Sequence, residues 1–149
     1  MSDGAVSDGP RTILRIEGAA LLACATAAYA WLGQPWWLFA ALLFAPDLSL
    51  LGYALGPARG AVFYNVLHTE TPPLIGLCLA VSLGQPLFAG LTLIWLAHIG
   101  LDRMLGYGLK YASGFGNTHL GAIGRGRAAD ESPKPPSGTR HAGDGFQSP

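Results

Sequence analysis

Charge is the first thing this sequence is short of. Only 12% of its 149 residues are Asp, Glu, Lys or Arg, whereas 50% are hydrophobic; a soluble domain carries about 25% charged residues. So little charge cannot clothe a water-facing surface, which points to a solvent other than water. The nine basic and nine acidic residues cancel, so there is no electrostatic footprint for nucleic acid. Cysteine is nearly absent. Cys24 and Cys78 lie inside apolar runs, with neither a zinc-type spacing nor a disulfide framework, and read as packing residues. A secretory leader is not evident either, because the apolar run after Arg15 has no convincing small-residue cleavage site before the next one begins. The Gly-x-x-x-x-Gly-Lys-Ser/Thr phosphate loop is missing too.

What is present is a set of long apolar runs. Residues 13–32, 36–56, 61–83 and 87–107 form four of them, and about 20 residues at 1.5 Å rise cover the ~30 Å hydrocarbon layer. Gly33-Gln34-Pro35, Gly56-Pro57 and Gly84-Gln85-Pro86 separate the runs. Turns this short join antiparallel neighbours. Trp31, Trp36 and Trp37 suit a headgroup-level belt. Arg11, Arg15, Arg59, Arg103, Lys110, Arg125, Arg127, Lys134 and Arg140 all fall on one side if the chain crosses four times; that side is cytoplasmic by the positive-inside rule. The expected fold is all-α: a polytopic membrane protein, an antiparallel bundle of four transmembrane helices with the lipid bilayer as its partner and both termini cytoplasmic. A soluble bundle is the competing reading, but helices apolar nearly all round present no wet face. Residues 1–12 and 126–149 read as disordered tails, and 108–125 as a Gly-rich cytoplasmic loop. The glycines of that loop allow it to fold back under the bundle, bringing Asn117, Thr118 and His119 to the apolar segments' polar residues. Alternatively the loop lies on the headgroups, with Lys110 meeting phosphate.

Several polar residues do not belong in lipid. Asp47, Asn65, His68, His98 and Asp102 sit within the apolar runs, where an Asp at a helix centre costs about 2.5–3.5 kcal/mol. Counting residues from the turns places all five in one layer, from the middle to the cytoplasmic half of the bilayer. Asn65 and His68 are spaced i,i+3, and His98 and Asp102 i,i+4, so each pair shares a helix face. Pro72 and Pro73 free the carbonyls of His68 and Thr69, and Pro46 frees that of Leu42. Broken helix at membrane depth belongs where it is buried in protein or lines a cavity.

Three readings of this layer compete. The groups form an interhelical hydrogen-bond network that fixes the bundle's register. Or they form a metal site, with His68, His98 and Asp102 as ligands and Asp47 or His119 completing it. Imidazole and carboxylate suit a divalent zinc, manganese or iron ion, and an open position could activate water for hydrolysis of a lipid-like substrate. Asp47 would then orient or deprotonate the water, and Asn65 would polarise the substrate. Or the layer is a proton or ion path, for which four helices are small unless the chain assembles into a homo-oligomer. The residues alone do not decide between an enzyme and a non-enzymatic membrane protein.

Pro46-Asp47, the stretch Gly60-Ala-Val-Phe-Tyr-Asn-Val-Leu-His-Thr with Pro72-Pro73, and His98-Ile-Gly-Leu-Asp-Arg-Met-Leu-Gly-Tyr-Gly-Leu-Lys-Tyr with Phe115 and Thr118-His119-Leu-Gly resemble the bacterial domain of unknown function family 4260. The resemblance covers residues 13–123. It implies a small integral protein of the bacterial inner membrane and carries no established activity. A fainter likeness is to inner-membrane proteins described as membrane-bound metal-dependent hydrolases, whose fuller histidine-rich pattern this sequence lacks.

Overall fold

Prolines and glycines set the limits of the helices. In the computed structural model, which describes residues 8–113 and 116–122, the chain runs through α1 (Asp8–Trp31), α2 (Trp36–Leu42), a 3-10 segment (Ala45–Leu55), α3 (Pro57–Leu67), α4 (Thr71–Ser82) and α5 (Pro86–Leu105). It closes with a minimal antiparallel hairpin of β1 (Asn117–Thr118) and β2 (Gly121–Ala122). α3, α4 and α5 each carry Pro in their first two positions, where a missing N–H costs nothing. The helix α1 starts at Asp8, within the stretch expected to be a loose tail. The expected tail at 126–149 lies outside the described residues, as do Phe115, Arg125, Arg127, Lys134 and Arg140.

Two of the four expected helices are broken, both at proline. Pro46 has no N–H for the Leu42 carbonyl; α2 ends at Leu42 and the chain continues as a 3-10 segment. Three residues per turn puts Pro46, Ser49 and Gly52 along one edge. Pro46 and Ser49 are buried, Gly52 meets the Phe63 ring and Gly60 the Tyr53 ring, so this segment packs against α3. The run expected over 61–83 divides into α3 and α4, with the break at 68–70. At this break the carbonyls of Leu67 and of His68, the latter freed by Pro72, are met from α5. Trp95 Nε1 donates to Leu67 O at 2.6 Å and Arg103 Nη2 to His68 O at 3.1 Å.

α5 is the centre of the structure, with α1 on one side and α4 on another. Its buried residues run from Ala89 to Gly100. α1 and α5 meet through small residues: Gly18 lies against Arg103 and Met104, Gly100 against the backbone of Gly18 and Leu22, and Ala25 packs with Ala97 in the core. Close backbone approach of this kind is how helices associate in lipid. Outward, the segments are apolar: Trp37 is 70% exposed, Leu51 73%, Val62 62% and Val81 68%. Among the described residues, three helical stretches are long and apolar enough to cross a membrane, Gly9–Trp31, Trp36–Leu55 and Pro86–Leu105. α3 and α4, of 11 and 12 residues, each cover about half of a ~30 Å hydrocarbon layer at 1.5 Å per residue.

Candidate metal centre

After α5 the chain turns back on itself. Gly106 ends the helix in the left-handed region, φ 93°, and the Tyr107 amide closes the cap on Asp102 O at 2.8 Å. Residues 107–113 and 116–122 then form a flap held from both sides. Within it Lys110 bridges Thr118, the His119 amide donates to Leu109 O and the Leu109 amide donates to His119 Nδ1 at 2.9 Å. From α3, Asn65 spans the Lys110 backbone, its Nδ2 donating to Lys110 O at 2.9 Å and its Oδ1 accepting from Lys110 N at 2.7 Å. Lys110, Thr118 and Leu120 are buried.

Directly above the flap the side chains form layers. Lys110 Nζ lies 4.6 Å over the Tyr64 ring. Tyr64 stacks on His68 with centroids 3.6 Å apart, and its hydroxyl donates to Asp102 Oδ2 at 2.9 Å. His68 Nδ1 donates to Tyr64 O at 2.8 Å. A carbonyl only accepts, so this bond puts the His68 proton on Nδ1 and turns the bare Nε2 towards the remaining groups. Those groups are His98 Nε2 at 3.1 Å, Asp47 Oδ1 at 3.4 Å and Asp102 Oδ2 at 3.7 Å. His98 Nε2 is also 3.7 Å from Asp47 Oδ1. One donor atom from each of Asp47, His68, His98 and Asp102 lies within 4.8 Å of every other.

The breaks in the helices produce this convergence. Asp47 stands in the first turn of the 3-10 segment, where helix N-terminal polarity favours a carboxylate. His68 caps the end of α3. His98 and Asp102 project from successive turns of the continuous α5. Both imidazoles are almost fully buried, while the Asp102 and Asp47 side chains are 16% and 37% exposed, so the cluster opens on the Asp47 side. Nδ1 of His98 is buried without a hydrogen-bond partner among the described residues.

Of the residues singled out from the sequence, the structure gathers Asp47, His68, His98 and Asp102. It does not bring the other two into the group. Asn65 joins both ends of its amide to the Lys110 backbone and so ties α3 to the flap. His119 accepts from the Leu109 amide at Nδ1, and Asp47 is the fourth member of the cluster. Tyr64, Arg103 and Lys110 were not singled out for the site. The i,i+4 spacing of Tyr64 and His68 was the available signal for the first. Lys110 carried none, since its place depends on the flap folding under the bundle rather than lying on headgroups. Burial pushes its ammonium below the ordinary lysine value, and the carboxylates of Asp102 and Asp47 offset this in part.

The sequence pattern described as "Domain of unknown function (DUF4260)" matches residues 11–123. No curated protein and no solved structure matches the chain.

Proposed function

The chain belongs to the DUF4260 family, whose description carries no activity, and from its own residues we propose that it is a membrane-embedded divalent-metal protein that hydrolyses a lipid-like substrate. One observation carries the reading. Donors around a tetrahedral zinc at about 2.1 Å from the ion lie roughly 3.4 Å from one another, and among the three proposed ligands His68 Nε2 lies 3.1 Å from His98 Nε2 and 3.7 Å from Asp102 Oδ2, with Asp47 Oδ1 beside them at 3.4 Å from His68 Nε2. Charge supports it as well. Two carboxylates at membrane depth are costly, and a divalent ion with two neutral imidazoles cancels them.

His68, His98 and Asp102 would hold the ion, with zinc, manganese or iron as candidates. The Nδ1 bond of His68 to Tyr64 O fixes its ring, and the Tyr64 hydroxyl fixes Asp102. A bound ion supplies Lewis acidity and a water of lowered pKa. Asp47, the most exposed of the four, would act as the base that orients and accepts the proton of that water. Asn65 and His119 keep structural roles in the flap. The arrangement we propose has four crossings of a bacterial inner membrane, α3 and α4 together making the third, with both termini and the flap cytoplasmic.

The same groups also hydrogen-bond across the helices, since His98 Nε2 can donate to His68 Nε2, and this favours an interhelical strut as the second reading. Metal analysis of the detergent-purified protein separates the two. Stoichiometric metal that is lost in His98→Ala and in Asp102→Ala supports the site. A metal-free parent that tolerates zinc without binding it, with both variants merely unstable, leaves the strut.

A further inference from the structure

An apolar cleft of about 280 Å³ lies between the two helix breaks and α5, lined by Leu42, Ala45, Pro46, Leu67, Ile94 and Trp95. We infer that this cleft is the subsite for one hydrocarbon chain of a membrane lipid, whose polar group meets the His/Asp cluster by moving within the bilayer plane. The inference rests on the metal-centre reading for its chemistry, and on the cleft for its geometry.

The walls of the cleft are the chain neighbours of the cluster. Pro46 precedes Asp47, Leu67 precedes His68, and Ile94 stands one turn before His98 on α5. An amphiphile lying along these walls therefore presents its head to the side chains that follow them. The cluster's most exposed member, Asp47, directly follows the lining residue Pro46 in the chain. The other approach, from the cytoplasm, is covered: Lys110 of the flap lies on Tyr64, which lies on His68. Phe44 and Leu48, chain neighbours of the lining residues Ala45 and Pro46, are exposed and apolar, so a lipid reaches the cleft without leaving hydrocarbon.

The occupant follows from what the walls lack. A peptide would bring backbone N–H and C=O groups into a lining of aliphatic and ring atoms, and each unpaired group there is costly. The one indole donor in the lining, Trp95 Nε1, is already bonded to Leu67 O. A hydrocarbon chain brings no polar group. It gains shape-specific contact in a site that is preformed by two proline breaks.

Tryptophan quenching tests this. In a Trp31→Phe, Trp36→Phe, Trp37→Phe background, Trp95 is the sole tryptophan. The protein is reconstituted into vesicles of phosphatidylcholine with or without bromine on the acyl chains, and zinc content is measured on the same preparations. Heavy-atom quenching needs contact, so a chain in the cleft lowers Trp95 emission roughly twofold in brominated vesicles. Ala45→Phe and Leu91→Phe, one lining position before the 3-10 segment's Pro46 and one on α5, fill the cleft and restore most of it, whereas Val81→Phe on the outer belt does not. Absent quenching, or equal quenching with the cleft filled, overturns the inference even if zinc is bound. Cleft-dependent quenching in a protein that binds no zinc upholds the chain subsite and overturns the metal reading instead.

Discussion

The His119 imidazole holds the flap only while its Nδ1 is unprotonated, because that nitrogen accepts from the Leu109 amide. Burial first, and then the positive charge of Arg103, push His119 below its ordinary value. A depressed folded value means that the unfolded chain takes up the proton first. The stabilisation is therefore present above the unfolded value of about 6.5 and is lost as the pH falls through the folded one. Exchange of the Leu109 amide, corrected for its intrinsic rate, is expected to quicken between about pH 7.5 and pH 5, and His119→Gln, which keeps an acceptor, should remove that dependence. Equal protection at both pH values in the parent would mean the Leu109 bond does not hold the flap. At this scale the sequence was informative for the four cluster residues. Their depths follow from counting along helices of known rise, and burial of ionisable groups in an apolar run needs partners wherever it occurs. It was uninformative for Lys110, whose surroundings are made by residues far from it in the chain.

Between elements, α1 and α5 approach backbone to backbone. A Cβ on Gly100 would sit 2.6 Å from Leu22 N and 2.8 Å from Gly18 O, and one on Gly18 would sit 2.7 Å from Met104 N. Backbone atoms cannot turn aside, so Gly100→Ala is expected to force the helices apart at a cost of about 1–3 kcal/mol. Gly76→Ala is the control, because its Cβ would meet only the Thr92 methyl closely, which another rotamer can move. Thermal unfolding in detergent should lower the midpoint for Gly100→Ala well beyond that of Gly76→Ala; identical midpoints would show a crossing looser than described. The helix breaks themselves were legible. Pro46 and the Pro72-Pro73 pair remove donors in any context. What met the carbonyls at the second break was not, since Trp95 and Arg103 reach them only once α5 lies beside α3.

For the whole molecule the open question is the path of α3 and α4. In a Cys24→Ala, Cys78→Ala background, a water-soluble maleimide applied to intact cells is expected to label Gln34→Cys and Gln85→Cys. Arg59→Cys should react only after the membrane is opened. Labelling of Arg59→Cys and Gln85→Cys from the same side would make α3 and α4 a re-entrant pair and reduce the crossings to the three continuous ones. The one-sided placement of basic residues argues for the four-crossing path, because each charge left on the far side would oppose the positive-inside bias.

Sequence by itself determined the solvent and the punctuation. Scarce charge with long apolar runs requires hydrocarbon around the chain, and proline at fixed positions requires the helices to break, whatever surrounds them. Tertiary structure alone decided which polar residues share a pocket and which do not. Asn65 shares the cluster's expected depth and His119 its residue type, yet the flap takes both for its own hydrogen bonds. Asp47 joins His68 because a 3-10 segment turns its side chain by a different angle per residue than the α-helix expected there. Depth along a helix is local arithmetic, whereas rotation about it and the choice of neighbour depend on every other element that packs against it.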